Sequence, residues 1–388
     1  CAPRTRFACL VAARNEEAVI GALVESLKKQ DYPDALYDIF VIPNNCTDDT
    51  ESEALCAGAK IFRCFEPVRC KGDALHEAVA WLLPQRYDAF CVFDADNVAD
   101  EQFLARMNDA FCAGAQVCKG AMRAKNPYDS WLSGCYGLYF TLFDTFFSRA
   151  RMSCGLSSKL VGTGFAVHRA VLERFGGWNT STIAAEFAAQ CATNGVRVCF
   201  VPGALTYDEA PNDFAVSLRQ RRRWCSGIMD VAVRMDAPLV SALRGSAPLR
   251  ALDALLIVNA PFLQALTLLP LTLTILSSLV QGTAGTLALT GAVSLTLSTL
   301  GLMALAALLA YLGGYRDRRA DGRGLPALHG GVPAAAARFA RQPHAELAAH
   351  RAHPRRPRGE PARCRFLDDD LTKVHNLFTA SHMDFCII

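Results

Sequence analysis

The chain has 388 residues and a formal net charge of +3, and 52% of its residues are apolar. Its mean hydropathy of +0.17 is high for a purely soluble protein. The small net charge, and the lack of a basic surface interleaved with aromatic residues, argue against a nucleic-acid-binding protein.

The first hundred residues alternate short apolar runs with amphipathic stretches. The pattern predicts a mostly parallel sheet with helices on both faces, which is an α/β fold. In such sheets, ligands bind at the carboxyl ends of the strands. The predicted strands are 6–13, 37–43, 59–64 and a run ending at Asp94, and the predicted helices are 16–30, 48–58 and 72–84.

Three polar loops follow these strands and fall on one edge of the predicted sheet: ARNEE at 13–17, NNCTDDT at 44–50 and DADN at 94–97. Strand alternation points Asp94 and Asp96 the same way. Two aligned carboxylates either form a strand-end turn in water or hold a cation. Because Mg²⁺ typically takes one or two carboxylates plus substrate phosphates, their place on the binding edge favours a metal site.

Residues 119–179 are less regular. A long apolar helix is predicted at 130–150, and Gly-Thr-Gly at 162–164 forms either a plain turn or one that lets backbone approach a ligand closely. A helix at 184–195 and a strand at 196–202 follow.

The segment Gln220–Trp224 contains three consecutive arginines followed by a tryptophan. One interpretation is an interfacial anchor, with Arg near phospholipid headgroups and Trp at the water boundary. The other is a diphosphate clamp, because guanidinium groups bind phosphate bidentately. We assign Arg221 and Arg222 to the first role, and Arg223 and Trp224 to the second.

Two later stretches, 254–280 and 286–312, contain no charged side chain, and each exceeds the roughly 20 residues that cross a bilayer. The alternative is a pair of buried helices in a soluble core. Arginines flank the pair, so the positive-inside rule places both outer flanks and the N-terminal region in the cytoplasm. The sequence therefore predicts a multi-pass protein of the inner membrane with a cytoplasmic catalytic domain. The flanking arginines are Arg244, Arg250, Arg316, Arg318 and Arg319.

The sixteen cysteines include no Cys-x-x-Cys pair, and many lie in apolar runs, so we expect reduced thiols that pack as small core residues. Because the chain starts at Cys1 rather than Met, we expect a preceding segment. Residues 315–388 shift abruptly to Ala, Arg, Pro and His, and six of the eight His lie there. We expect a disordered or frame-shifted tail.

Six motifs in this order resemble those of membrane-bound inverting glycosyltransferases of family 2, the group of cellulose, chitin, hyaluronan and poly-N-acetylglucosamine synthases. The resemblance covers about residues 6–312 and implies a Rossmann-like glycosyltransferase-A domain followed by transmembrane helices. The motifs are VAARNEE, NNCTDDT, KGDAL at 71–75, DADN, GTGF at 162–165 and the Q-x-x-R-W pattern of Gln220–Trp224.

The resemblance implies a role for each matching residue. Lys71 and Asp73 lie near the nucleotide and Asp94 near the ribose. Asp94 and Asp96 hold Mg²⁺ or Mn²⁺, which bridges the diphosphate of a UDP-sugar and stabilises it as it departs. The uridine is held by residues of the first two loops: Ala13, Arg14, Asn15, Glu16 and Asn44.

The acceptor side departs from the family pattern. The resemblance implies that Gln220, Arg223 and Trp224 cover the donor and the acceptor end. The Glu-Asp pair that supplies the family's general base is absent between Ala184 and Ala185. Glu186 is the nearest carboxylate and the candidate substitute, although two missing residues rotate it by more than half a helical turn.

We therefore expect an inverting transferase that moves a sugar to a glycan or lipid-linked acceptor at the cytoplasmic membrane face, with activity impaired by the missing pair. The alternative is a non-catalytic relative that binds nucleotide sugar or acts as a scaffold. Expected partners are the UDP-sugar, the acceptor, membrane lipids and a further membrane subunit, because two spans are few for a processive enzyme. The expected domains are catalytic (1–212), interfacial (213–251), a membrane hairpin (252–314) and the tail (315–388).

Overall fold

The computed structural model describes residues 1–180 and 182–312. Their architecture is a single eight-stranded sheet with helices packed on it, followed by a run of longer helices. The expected tail at 315–388 lies outside the described residues. The strands β1 to β8 are Phe7–Ala13, Tyr37–Pro43, Lys60–Ile61, Ala89–Asp94, Val98–Ala99, Val117–Ala124, Phe165–His168 and Val198–Asp208.

The helices confirm the amphipathic segments of the first hundred residues and add several further along. A short 3₁₀ turn occupies Asp34–Leu36, and a π-helical segment, Phe143–Ser148, joins the fifth and sixth helices. The helices α1 to α13 are Ile20–Lys28, Thr50–Ala57, Lys71–Leu82, Phe103–Cys112, Trp131–Leu142, Arg149–Ser153, Arg169–Phe175, Ala185–Thr193, Phe214–Ala242, Pro248–Val258, Ala260–Leu266, Leu268–Val280 and Ala284–Leu312.

The sheet order is β3-β2-β1-β4-β7-β6-β8-β5. Strands β1, β2, β3 and β4 pair in parallel, β7 runs antiparallel between β4 and β6, and β8 is parallel to β6. Only β7 and the two-residue β5 are reversed. The predicted mostly parallel α/β sheet is therefore confirmed, in the mixed form typical of a glycosyltransferase-A-like domain.

Apolar layers cover both faces of the sheet. In β1, Phe7, Cys9 and Val11 pack on one side with α1 and α4, while Ala8 and Leu10 pack on the other with α3. All five are fully buried. A strand covered on both faces reads as a continuous apolar run, which is why FACLVAA lacks clean alternation.

The middle of the chain contains strands that the sequence pattern did not indicate. Strand β6 was missed because its apolar run is interrupted by Lys119 and Arg123, and β7 was missed because it has only four residues. The predicted helix at 130–150 is present as α5, the π-helical segment and the start of α6.

The expectation for the cysteines is only partly confirmed. Cys9, Cys91 and Cys118 are fully buried thiols in the sheet, as expected. Cys1 and Cys112 instead form a disulfide, which contradicts the prediction of reduced thiols throughout. The bond forms because the N-terminal segment lies along α4, where the terminal amine also pairs with Asp109 at 2.7 Å.

Helix α10 is fastened to the sheet domain by polar contacts. The Arg250 guanidinium donates to the carbonyl oxygens of Gly155 at 3.3 Å and Gly195 at 2.9 Å. Asp253, one turn further along, forms a largely buried ion pair with Arg151 of α6. We call this set of contacts the α10 anchor.

The apolar stretches after the α10 anchor form helices at Ala260–Val280 and Ala284–Leu305 that are long and apolar enough to cross a membrane, and their side chains are almost entirely exposed. The predicted span at 254–280 begins inside α10, which contains residues 254–258, and it is interrupted at Asn259 and at Thr267. Each break precedes a proline, Pro261 or Pro270, whose ring clashes with the preceding turn.

Candidate active site

The loops after β1 and β2 are joined at the carboxyl edge, as predicted. Asn44 donates from its backbone N–H and its side chain to the Ala13 carbonyl, at 3.0 and 3.1 Å. The Asn15 carboxamide oxygen accepts from the Thr47 N–H at 2.8 Å. Asn15 holds a left-handed φ of +57°, which asparagine tolerates better than most residues. The contacts build a preformed two-loop cradle.

Glu16 belongs to this cradle, and its carboxyl is influenced by the charges of the DADN turn. Its N–H donates to Thr50 Oγ1 at 2.8 Å, which fixes the loop. Burial, followed by the charges of Asp96 and Asp94, raises the pKa of the Glu16 carboxyl. Arg14 lies beside it with an exposed side chain. All three predicted loops therefore converge on one edge.

Asp94 ends β4 and forms an ion pair with Lys71, the first residue of α3. Lys71 Nζ lies 2.5 Å from Asp94 Oδ1 and 3.2 Å from the carbonyl oxygens of Phe93 and Gly162. The Asp94 side chain is 43% exposed and that of Lys71 is 22% exposed. Lys71 therefore positions the carboxylate while leaving part of it open to solvent and to a ligand.

Thr163 fixes the DADN turn from the opposite side. Its hydroxyl accepts the Asp94 N–H at 3.0 Å and donates to the Asn97 carboxamide oxygen. Thr163 is 2% exposed and precedes Gly164, which has a φ of +61° and leaves no room for a Cβ beside Thr206. The Gly-Thr-Gly segment thus supports the carboxylates, a role beyond the two weighed from sequence.

Asp208, at the end of β8, is a site residue that the sequence analysis missed. Asn97 Nδ2 donates to Asp208 Oδ1 at 2.8 Å and lies 3.3 Å from Asp96 Oδ1. Burial, then the charges of Asp96 and Asp94, raises the pKa of Asp208 to about 7. Burial and Asp94 also raise the pKa of Asp96, opposed by Lys125. The sequence signal that could have indicated Asp208 is a strand that ends in an aspartate, as β4 does at Asp94.

The residues present fit a divalent cation. Asp94 and Asp96 supply hard oxygen ligands, and burial, followed by the charges of the neighbouring carboxylates, raises the pKa values of Asp96 and Asp208. Among residues 1–180 and 182–312, no group of three or more His, Cys, Asp or Glu has the arrangement of a complete metal site. Two carboxylates suit Mg²⁺ or Mn²⁺ that completes its shell with water and substrate phosphate.

Two buried charged residues, Lys119 and Asp144, were also missed from sequence. Lys119 of β6 is 2% exposed, and its Nζ donates to the Gly120 carbonyl at 2.7 Å. Asp144, in the π-helical segment, accepts from the Met122 N–H at 2.9 Å and from Arg123 at 3.1 Å. Burial lowers the pKa of Lys119 to about 8, and Asp144 opposes the shift.

Asp73 occupies a structural position in the described contacts. Its Oδ2 accepts the backbone N–H groups of Arg69 at 2.9 Å and Cys70 at 3.2 Å, which completes a capping box on α3. These bonds, led by the one from Arg69, lower its pKa. Its place near the nucleotide stays a prediction, and in the structure its carboxylate caps α3.

The Q-x-x-R-W residues lie in the first half of α9. Gln220 Oε1 is buried without a hydrogen-bond partner among the described residues, and the Arg223 and Trp224 side chains are exposed, Trp224 by 40%. Arg221 instead lies over the Tyr136 ring, 5.4 Å from its centroid. In the described part of the chain, no hydrogen bond or ion pair joins Gln220, Arg223 or Trp224 to the DADN turn.

Glu186 sits in the first turn of α8 and is 7% exposed. Its Oε2 accepts from the Thr182 N–H at 3.1 Å and lies 3.4 Å from Arg234 Nη2 on α9. Just upstream, Trp178 Nε1 and Thr180 Oγ1 are buried with no partner among the described residues. Glu186 as the general base stays a prediction, and its contacts favour an anchoring role.

A mixed sheet with two polar loops and a carboxylate turn at one edge fits a glycosyltransferase-A-like domain. The chain belongs to the family described as Glycosyltransferase like family 2, whose model matches residues 3–227, more than half of the chain. The family expectation from the motifs is thereby confirmed at that level.

Curated relatives are glycosyltransferases. The probable glycosyltransferase YdaM of Bacillus subtilis strain 168 is 28% identical over 246 residues, covering 60% of this chain and 57% of the relative. The beta-monoglucosyldiacylglycerol synthase of Nostoc sp. strain PCC 7120 is 29% identical over 230 residues, covering 56% and 48%. The chain spans about half the length of these relatives.

Solved structures also overlap with the chain. The mannosyltransferase PcManGT from Pyrobaculum calidifontis, in complex with GDP-Man and Mn²⁺, has a TM-score of 0.49 at 18% identity and covers 80% of this chain and 88% of its own. The glucosyl-3-phosphoglycerate synthase of Mycobacterium tuberculosis, with Mn²⁺, UDP and phosphoglyceric acid, has a TM-score of 0.41 at 19% identity, covering 62% and 79%. The family assignment itself comes from the sequence match.

Proposed function

We propose that the chain transfers a sugar from a UDP-sugar to an acceptor, with inversion at the anomeric carbon. The observation that carries the proposal is the Asp94 and Asp96 pair on the binding edge, positioned by Lys71 and Thr163 beside the two-loop cradle. The cradle of Asn15 and its neighbours supplies backbone and amide groups at the place where a nucleobase would lie.

Each residue of the edge has a separate task in this proposal. Asp94 and Asp96 would hold Mg²⁺ or Mn²⁺, which supplies Lewis acidity to the departing diphosphate. Lys71 keeps Asp94 oriented and places a positive charge beside the diphosphate. Gln220, Arg223 and Trp224 of α9 would close over the sugar from the acceptor side, with Arg223 as a phosphate-binding guanidinium.

We place the acceptor at a membrane surface. The support is the pair of exposed apolar helices, Ala260–Val280 and Ala284–Leu305, each long enough to span the hydrocarbon core. The arginines that flank them favour a cytoplasmic sheet domain. Single or few transfers, or a further membrane subunit, belong to the same proposal, because two helices are few for a processive enzyme.

Donor binding is the direct test. We would titrate UDP and a panel of UDP-sugars into the full chain by calorimetry, with Mn²⁺, with Mg²⁺ and with EDTA. Metal-dependent binding that is lost in Asp96→Asn and kept in the exposed control variant Asp31→Asn supports the proposal. Binding that is indifferent to EDTA and to Asp96→Asn would refute the assigned metal site.

A non-catalytic, nucleotide-sugar-binding protein is the second candidate, favoured by the engagement of Glu186 with Arg234. The two candidates differ in UDP release. Insertion of Glu-Asp between Ala184 and Ala185 restores the family's length at the head of α8. Release only from the inserted variant would identify the native chain as a binding protein, whereas release from the native chain supports the enzyme.

A further inference from the structure

We propose that an anionic phospholipid binds at the amino edge of the sheet, where arginines surround the loops 154–157 and 194–197 before β8. This edge is opposite the Asp94 turn, because β4, β6 and β8 run in the same direction. The inference rests on the membrane placement proposed above and is independent of the transfer chemistry. We call Arg151, Arg174, Arg197 and Arg250 the amino-edge arginine cluster.

Two of these arginines bridge the two loops. The Arg250 guanidinium donates to the carbonyl oxygens of Gly155 at 3.3 Å and Gly195 at 2.9 Å. Arg197 lies in the second loop, and its Nε donates to the Leu156 carbonyl in the first loop at 3.1 Å. Because Gly155 and Leu156 are consecutive residues, the two guanidinium groups are held at neighbouring positions.

The other two arginines hold the same loops. Arg174 Nη2 donates to the Asn194 carbonyl at 3.0 Å, one residue before the carbonyl that Arg250 holds. Arg151 Nε donates to the Ser157 carbonyl at 3.0 Å. Backbone contacts therefore bring all four positive charges to one place.

The positive charge of the cluster exceeds the negative charge that contacts it. Asp253 pairs with Arg151 in the α10 anchor. In the described part of the chain, Arg174, Arg197 and Arg250 form no ion pair. The carbonyl contacts leave most of the five N–H groups of each guanidinium for other acceptors. Guanidinium groups bind phosphate oxygens bidentately, so the cluster is complementary to a phosphate.

A groove of about 410 Å³ adjoins the cluster. Arg197, Gln116 and Cys199 line it together with small apolar residues around the end of α4, and none of its lining residues is acidic. Burial raises the pKa of the Cys199 thiol, whereas the charges of Arg197 and Arg250 oppose the shift, so both cations lie near the groove. The groove would receive the polar head of a lipid whose phosphate lies at the guanidinium groups.

Helix α10 leads from the cluster to the apolar helices. Its residues Leu249, Leu252 and Leu256 are 71%, 42% and 51% exposed, and helical spacing places them on one face. The α10 anchor fastens this helix to the sheet domain, and the first apolar helix begins at Ala260, two residues after α10 ends. Exposed leucines beside arginines suit the boundary between headgroups and hydrocarbon.

The charge of the cluster selects the headgroup. Phosphatidylcholine carries an ammonium group that the arginines repel, whereas phosphatidylglycerol carries only the charge of its phosphate. Each basic residue near a membrane surface adds to the attraction of anionic lipids. Three arginines without an ion pair in the described ranges therefore predict at least about a tenfold preference for phosphatidylglycerol.

Native mass spectrometry of the full chain measures this preference. The chain in dodecyl maltoside would receive equimolar phosphatidylglycerol and phosphatidylcholine, and the retained lipids would be counted. We expect phosphatidylglycerol to be retained at least about ten times more often. Equal retention of the two lipids would refute the site.

Thiol labelling locates the bound lipid. Cys199 lines the groove, so phosphatidylglycerol at ten times its Kd should slow maleimide labelling of this thiol about tenfold, by mass action. Phosphatidylcholine should not slow it. Cys56, exposed on α2, is the internal control in the same peptide map. Protection by glycerol 3-phosphate that equals protection by phosphatidylglycerol would overturn the lipid as ligand in favour of a soluble phosphate.

Variants test the arginines. Arg174→Gln removes one exposed carbonyl contact and should reduce retention of phosphatidylglycerol about tenfold, with an unchanged thermal midpoint. Arg250→Gln should do the same, and Arg250→Lys, which keeps the charge, should lose less. The control is Arg86→Gln, an exposed arginine that precedes β4, and it should change nothing.

Two further results overturn the inference. Full retention of phosphatidylglycerol by the folded double variant Arg174→Gln/Arg250→Gln refutes the cluster as its site. Loss of retention in Arg222→Gln instead would place the lipid on α9. Metal-dependent UDP binding, measured in the same samples, tests the proposed function separately, so failure of the lipid site and failure of the donor site are distinguishable.

Discussion

Replacing Lys119 by Met should stabilise the protein at neutral pH. Lys119 is 2% exposed, and burial lowers its pKa from 10.5 to about 8. A difference of this size corresponds to about 3 kcal/mol of unfavourable free energy for the charged form. Met keeps the length of the side chain and removes the charge, and Asp144 retains its bonds to Arg123 and to the Met122 N–H.

The direction in which stability changes with pH follows from the protons bound by Lys119 in the folded and unfolded states. Between about pH 8 and pH 10.5 the unfolded lysine holds a proton that the folded one has released, so stability of the native chain rises with pH through this window. Below the pKa of Lys119 in the folded protein, the buried lysine is charged and its whole destabilising effect is present. Between pH 7 and pH 9.5 the native chain should gain about 2 kcal/mol relative to Lys119→Met.

The assay is thermal unfolding of the full chain in detergent, with EDTA, at pH 7 and pH 9.5. A change of about 2 kcal/mol is worth about 4–8 °C in Tm for a domain of this size. The stabilising effect of Lys119→Met at pH 7 should shrink by that amount at pH 9.5. Lys29→Met, at an exposed position after α1, is the matched control. A Tm difference that does not change with pH would show that burial does not depress the lysine pKa.

Lys71→Met removes three hydrogen bonds that hold the Asp94 turn. It should weaken Mn²⁺-dependent UDP binding, measured by calorimetry, at least about tenfold. Undiminished affinity would contradict the positioning role of Lys71. Asp73→Ala should lower the unfolding free energy by about 1 kcal/mol through loss of the α3 cap, yet leave UDP affinity unchanged, and a large affinity loss would return Asp73 to the nucleotide site. Glu186→Gln should lower stability by about 1–2 kcal/mol because it loosens the pair with Arg234, and should keep kcat within threefold; a fall of 10² or more would identify Glu186 as the base.

The two-loop cradle and the DADN turn were predictable because their signals are local. Each of β1, β2 and β4 is an apolar run that ends directly in polar residues, and parallel strands bring such ends together. Asp94 and Asp96 lie at the predicted edge for this reason. The placement of Asn15 and Asn44 required no information beyond the order of strands and helices.

Features that depend on contacts between distant parts of the chain were not predictable in the same way. Asp208 reaches the site only because β8 lies beside β6, a pairing between residues about eighty positions apart that no local pattern records. Lys119 interrupts an apolar run and was not recognised as a buried charge, since its burial depends on elements that are distant in the sequence. The Cys1–Cys112 disulfide likewise depends on a contact over 111 positions.

The α10 anchor fixes the sheet domain relative to the helix that precedes the first apolar segment. Arg250 and Asp253 tie the helix that precedes the first apolar segment to the loop after α6 and to the end of α8. If that segment crosses a bilayer, the sheet cannot rise or sink relative to the lipid without breaking these bonds. The distance between the carboxyl edge of the sheet and the bilayer is then fixed. An acceptor would be selected by the depth at which its reactive oxygen lies in the bilayer, as well as by its chemistry. Lengthening the Arg244–Ala247 connection would leave this distance unchanged, whereas Asp253→Asn would relax it.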